Sequence, residues 1–302
     1  MAVIQDFREL IGHTPLLKLN HMDFPTHVNV YAKLEFWNPG GSVKDRMGVA
    51  MLQDAERTGR LKPGGTIIET TAGNAGIGIA LAALGRGYKV IFVVPEKFSV
   101  EKQAIMRAYG AQIVHTPLQF GIEGALVKTQ ELLAEIEGSV SLGQFENPVN
   151  PRAHYETTGP EIYEDLNGQI DYFVAGAGSG GTFSGVVRYL KERIPGFTGI
   201  LADPYGSTMG GGEAGCYAIE GIGNTFMPGT MDMALVDRVV KVADDAALAE
   251  VRRLALQEGV LVGTSSGAAV AAARALSAEA RGNIVVVFPD RGDRYFSKNI
   301  LG

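Results

Sequence analysis

Apolar residues fall in short unbroken runs along most of the chain, and between those runs lie longer stretches where apolar positions return every three or four residues. The first pattern predicts strands covered on both faces, the second amphipathic helices. Strands are expected at 28–35, 66–70, 89–95, 112–116, 171–177, 198–203, 237–243 and 283–289. Helices are expected at 43–59, 74–86, 99–109, 121–137, 182–193, 245–258 and 266–280. Their alternation predicts an α/β fold with parallel sheets and crossover helices. The Asn- and Pro-rich stretch GQFENPVNPRAH (143–154) breaks the pattern and marks a domain junction near residue 147. GSTMGGGEAG (206–215) and EGIGNTFMPG (220–229) lack apolar periodicity and read as a long loop, which in a compact domain is often functional.

Composition narrows the function classes. At 302 residues and 46% hydrophobic, the chain can bury the cores of two modest domains. A net charge of −6 with no cluster of Lys and Arg argues against nucleic acid. No segment is uniformly apolar over the ~18 residues that a membrane helix needs. The N-terminus meets acids at once and lacks the order of a secretory signal. Cys216 is the only cysteine, which suits a reducing compartment, and reads as a neutral loop or interface residue. A cytoplasmic protein without an appended regulatory module is expected.

Four segments could carry chemistry. In GAGSGGTFSGVVRYL (176–190) a buried strand runs through glycines into a helix, aiming backbone N–H groups at an anion. Gly176, Gly178 and Gly181 also fit a dinucleotide fingerprint, with Asp203 where a ribose-binding acid would sit, and tight strand–helix packing without ligand is a third reading. In NPGGSVKDRMGVA (38–50) a Gly-Gly-Ser turn brings Lys44 to a helix start, where an ammonium is disfavoured and a Schiff-base or general-base lysine becomes possible. The bland alternative is a solvent-facing lysine paired with Asp45 or carboxylates downstream. ETTAGNAGIGIALAAL (69–84) sets Thr70, Thr71 and Asn74 beside a second helix start, as anion donors or simply as caps. LVGTSSGAAVAAA (261–273) does the same with Ser265 and Ser266. The five histidines show no metal-type spacing, no metal site is expected, and no G-x-S-x-G or P-loop motif is present.

Together, GGSVKDR around Lys44, TAGNAG around Asn74, GSGGT at 178–182 and GTSSGAA at 263–269 resemble the cysteine synthase and cystathionine β-synthase family of fold-type-II pyridoxal 5′-phosphate (PLP) enzymes. The likeness runs from IGHTPLLKL (11–19) to PDRGDRY (289–295). It implies two open-sheet α/β domains with PLP in the cleft between them, an N-terminal domain at 36–147 and a second one built from 1–35 and 148–302. It implies Lys44 as the Schiff-base lysine that also moves the α-proton, and Asn74 at the cofactor's 3′-oxygen. Gly178, Ser179, Gly180, Gly181 and Thr182 would cradle the phosphate, and Ser265 would meet the pyridine nitrogen. Thr71, Ala72, Gly73, Ala75, Gln144 and Gly221 would line the substrate site. The implied reaction is β-replacement on O-acetyl-L-serine through an α-aminoacrylate, giving cysteine from sulfide. Cystathionine from homocysteine, with O-acetylserine or serine as donor, is the alternative. The commonest family motif is T-S-G-N-T-G, and Ala72 and Ala75 replace its serine and second threonine; Ala72, PEKFSVEKQ, GGEAG and EGIG resemble a bacterial cystathionine-forming subgroup. A homodimer and a serine acetyltransferase partner also follow from the resemblance. A nicotinamide-dependent oxidoreductase, an inactive regulator and a serine or threonine dehydratase are the rival readings.

Overall fold

The computed structural model describes residues 3–71, 73–96 and 99–301. In chain order the elements are β1 (Leu16–Lys18), β2 (Val28–Leu34), α1 (Lys44–Arg57), β3 (Thr66–Thr70), α2 (Asn74–Ala83), β4 (Lys89–Pro95), α3 (Val100–Ala108), β5 (Gln112–Thr116), α4 (Gly121–Glu135) and β6 (Ser139–Val140). There follow α5 (Val149–Glu156), α6 (Thr158–Asp165), β7 (Tyr172–Ala175), α7 (Gly181–Lys191), β8 (Thr198–Pro204), β9 (Arg238–Val242), α8 (Asp244–Arg253), α9 (Thr264–Ser277) and β10 (Gly282–Phe288). The eight expected strands and seven expected helices are all present, β3, β4 and β5 with the expected ends and the others with shifted ones. β1 and β6 are too short to show a period, and α5 and α6 lie in the Asn- and Pro-rich stretch read as a junction. Helix 245–258 is α-helical only to Arg253 and closes through a π turn, Leu254–Glu258.

Two sheets form. One has the order β5-β4-β3-β6 and the other β1-β2-β10-β7-β8-β9. Among the strands of the described residues only β1 and β2 pair antiparallel; the other ladders are parallel, with Ile284 opposite Val30 and Ile68 opposite Ile91. Parallel strands need helices on both faces, and β3 is accordingly buried at every position. α2 is buried along nearly its whole length between α1 and the smaller sheet, which explains its lack of a polar face. The two helices touch backbone to backbone: a Cβ on Gly78 would lie 2.3 Å from Lys44 O, and one on Gly48 would lie 2.4 Å from Gly78 O. Only glycine permits that approach, and it sets the start of α1 against the middle of α2. Residues 205–232 contain no helix or strand, as the sequence predicts for most of that stretch.

Candidate active site

Lys44 opens α1. Gly41, at φ +77°, turns the chain into the helix. Asp45 Oδ2 accepts the Gly40 N–H at 2.6 Å, and Val43 N–H donates to Pro289 O at 2.9 Å, tying this turn to the end of β10 in the larger sheet. The Lys44 amine crosses to the start of α7, where Nζ donates to Ser179 Oγ at 3.3 Å. Among the described residues no carboxylate pairs with it, against the alternative of a solvent-facing lysine paired with Asp45 or with carboxylates downstream. Burial without a counter-charge pushes its pKa down to about 8. Burial likewise pushes Asp45 up to about 7, against the pull of the Gly40 N–H and of Arg294.

The loop before α7 is fixed from three sides. Gly180, at φ +85°, lies against Met231, and Thr230 Oγ1 donates to Ser179 O. Asn150 Nδ2 donates to Ser179 Oγ at 3.0 Å and to Gln144 O at 2.8 Å, and a Cβ on Gly181 would strike Asn150 Oδ1. On Gly178 a Cβ would lie 2.4 Å from Gly221 O. These glycines are therefore required by the packing of the loop itself. Thr182 Oγ1 meets His154 Nε2 at 3.1 Å, and His154 Nδ1 meets Thr158 Oγ1 at 2.9 Å. Burial holds His154 well below its usual pKa, hence neutral.

Thr71 Oγ1 accepts the N–H of Gly76 at 3.2 Å and of Gly73 at 3.3 Å, which satisfies the capping reading and leaves its own proton free to donate. Asn74, the first residue of α2, reaches away from its helix: Nδ2 donates to Asp290 Oδ2 at 2.6 Å, and its Oδ1 accepts from Arg294. Ala75 is 5% exposed within the apolar cluster of Met47, Met51 and Ile77, so only its backbone is available to a substrate. Gly73 and Gly221 have open space where a Cβ would stand. Gln144 and Ser265 are buried, the latter in the first turn of α9, with the Thr264 hydroxyl accepting Glu220 N–H at 2.9 Å. Ala72 lies outside the described residues.

No side chain caps the N-terminus of α7 or α9 among the described residues, whereas the first turns of α1 and α2 each give one N–H to a hydroxyl just before the helix, Lys44 N–H to Ser42 Oγ at 3.3 Å and Gly76 N–H to Thr71 Oγ1. Helix starts left without caps invite an anionic partner. The start of α7 meets a lysine amine that no described carboxylate pairs, a donor set that fits an aldehyde carrying a phosphate. The dinucleotide reading loses its acid: Asp203 is buried, pairs with Lys241 at 2.7 Å and accepts the Gly210 N–H at 3.0 Å, anchoring the glycine loop. Cys216 is exposed. The described residues hold no metal-type cluster and no helix long and apolar enough to cross a membrane.

Sequence reasoning missed Asn150, His154, Thr230 and Asp290. NPVNPRAH was read as a junction and as part of the family likeness, with no role given to its side chains, although Asn150 and His154 bond to Ser179 and Thr182 of the α7 loop.

Residues 7–290 match the family of pyridoxal-phosphate dependent enzymes. The chain belongs to that family. Its cofactor is therefore PLP, and its fold is that of the fold-type-II members. An O-acetylserine dependent cystathionine beta-synthase of Bacillus subtilis is 53% identical, across 99% of this chain and 98% of its own. A cysteine synthase of Helicobacter pylori is 47% identical, across 99% of both chains. The crystal structure of the O-acetylserine dependent cystathionine beta-synthase from Helicobacter pylori superposes with a TM-score of 0.95 at 46% identity, covering 99% of each chain.

Proposed function

We propose that this PLP enzyme replaces the acetoxy group of O-acetyl-L-serine with a thiol, taking sulfide to give L-cysteine. The observation that carries the reading is the Lys44 amine, unpaired by any described carboxylate and turned toward the uncapped start of α7. Residues Ser179 to Thr182 would hold the cofactor's phosphate, Asn74 its phenolic oxygen and Ser265 its ring nitrogen. When bound, PLP supplies the electron sink that makes the substrate's α-proton acidic. Lys44 Nζ would take and return that proton, because a pKa lowered to about 8 leaves a far larger share of its amine neutral near neutral pH than an ordinary lysine has. The free proton of Thr71 and the first-turn N–H groups of α2 would hold the substrate carboxylate, with Gln144 beside them. A hydroxyl at Ser265, rather than a carboxylate, leaves the ring nitrogen without a fixed counter-charge, which favours elimination and addition over transamination. The cleft lies between a body of residues 36–147 and one of 1–35 with 148–302, and we place the cytoplasm, a homodimer and an acetyltransferase partner with this reading on the family resemblance.

Homocysteine is the second acceptor to consider, since the 53% identical relative is named for cystathionine formation. Purified holoenzyme given O-acetylserine with sulfide or homocysteine tests both: cysteine formed faster supports the first reading, cystathionine formed faster the second. Pyruvate released without either thiol product would overturn both in favour of a dehydratase.

A further inference from the structure

Asp290 is 1% exposed and stands where three parts of the site converge. Its backbone bridges to Ser42 in the turn before Lys44, and its carbonyl accepts the Gly263 N–H at 3.2 Å, just before Ser265. The neighbouring Arg291 bridges to Val262. Its side chain reaches the third part: Oδ2 accepts Asn74 Nδ2 at 2.6 Å and the Tyr295 hydroxyl at 2.6 Å. Tyr295 is 1% exposed, and burial together with the Asp290 charge holds its phenol protonated, so it remains a donor. Asp290 Oδ1 is buried with no partner among the described residues and would be 2.1 Å from a Cβ on Gly263, so the carboxylate packs tightly against that glycine.

The partners of Asn74 fix how its amide faces. A carboxylate oxygen only accepts, so the amide nitrogen must face Asp290. A guanidinium only donates, so the amide oxygen must face Arg294. Turning the amide over would set N–H against N–H on one side and oxygen against oxygen on the other. One Asn74 N–H then remains uncommitted, and it is a donor, as a phenolate oxygen requires.

We propose, resting on the reading of the lysine site above, that Asp290 is a positioning residue. It locks the Asn74 amide with its spare N–H available to the 3′-oxygen of PLP. An asparagine at 290 presents both a donor and an acceptor, which removes the lock without changing the side chain's size. The test is the dissociation constant of PLP, from absorbance titration of apoprotein, in a double-mutant cycle of Asp290→Asn with Asn74→Ala. With Asn74 present, Asp290→Asn should weaken PLP binding about tenfold, the value of one charge-assisted hydrogen bond. With Asn74→Ala in place, the same change should cost less than about twofold, because the residue it acts through is gone. Equal weakening in both backgrounds, as a merely structural role would give, overturns the proposal, and so does no weakening in either. Should Asp290→Asn fail to fold, Arg294→Met removes the other half of the lock and must show the same coupling to Asn74. A wild-type protein that takes up no PLP would instead overturn the reading of the whole site.

Discussion

Replacing Gly78 with alanine sets two effects of opposite sign against each other. In a helix interior glycine to alanine usually stabilises by about 1 kcal/mol. At this position the new Cβ would lie 2.3 Å from Lys44 O, 2.7 Å from Lys44 C and 3.1 Å from Asp45 N, all backbone atoms. Ordinary contact begins at 3.4 Å, so α1 and α2 must separate by about 1.1 Å. Neither helix can give easily, since α2 is buried nearly throughout and α1 is pinned through Arg46 to Glu35 and Glu161. Overpacking of that kind costs about 1–3 kcal/mol, and with rigid backbone on both sides the upper end applies, leaving a net loss of roughly 2 kcal/mol. The same displacement shifts Lys44, the first residue of α1, and a misplacement near 1 Å lowers turnover about a hundredfold. Urea unfolding of the apoprotein reads the first effect, and kcat/KM with O-acetylserine and sulfide reads the second. A Gly78→Ala protein as stable and as active as wild type would refute the reasoning, showing that the contact relaxes at no cost.

Three further outcomes follow from the charged groups. With Lys44 depressed to about 8, the rate of PLP capture by apoprotein should rise about tenfold per pH unit below that value and level off above it; a rate still climbing toward roughly pH 10 would mark an ordinary lysine. Asp45, raised to about 7 from 3.8, binds its proton more tightly in the folded state. The stability it contributes is therefore complete below about pH 4 and lost as pH rises through about 7, so Asp45→Asn should flatten the wild-type decline in thermal stability across that window. Arg46→Met strands the buried Glu35 carboxylate and should cost about 3–5 kcal/mol in urea unfolding, far more than Arg57→Met at an exposed pair with Asp54.

The fold was largely legible because its strands are covered on both faces and its helices keep their period. What the pattern could not supply were elements too short to repeat, β1 and β6, and the helices α5 and α6 hidden among Asn and Pro. Lys44, Ser179 and Asn74 stand out in the sequence because glycines and helix starts surround them, a local signal. Asp290 has no such signal: its partner Asn74 is 216 positions away, and nothing nearby in sequence announces a buried carboxylate. Asp203 shows the reverse error, a residue at the spacing of a ribose acid that is committed to Lys241, 38 positions on. Ala75 looked like a lost substrate hydroxyl, yet its side chain packs into the core, a distinction that depends on which way a helix faces.

The most direct test of Lys44 is borohydride fixation of the PLP-loaded protein, followed by peptide mapping. The cofactor's mass should appear on the peptide carrying Lys44 and be lost in Lys44→Ala. Attachment to another lysine, or a protein that stays colourless with added PLP, would contradict the assignment.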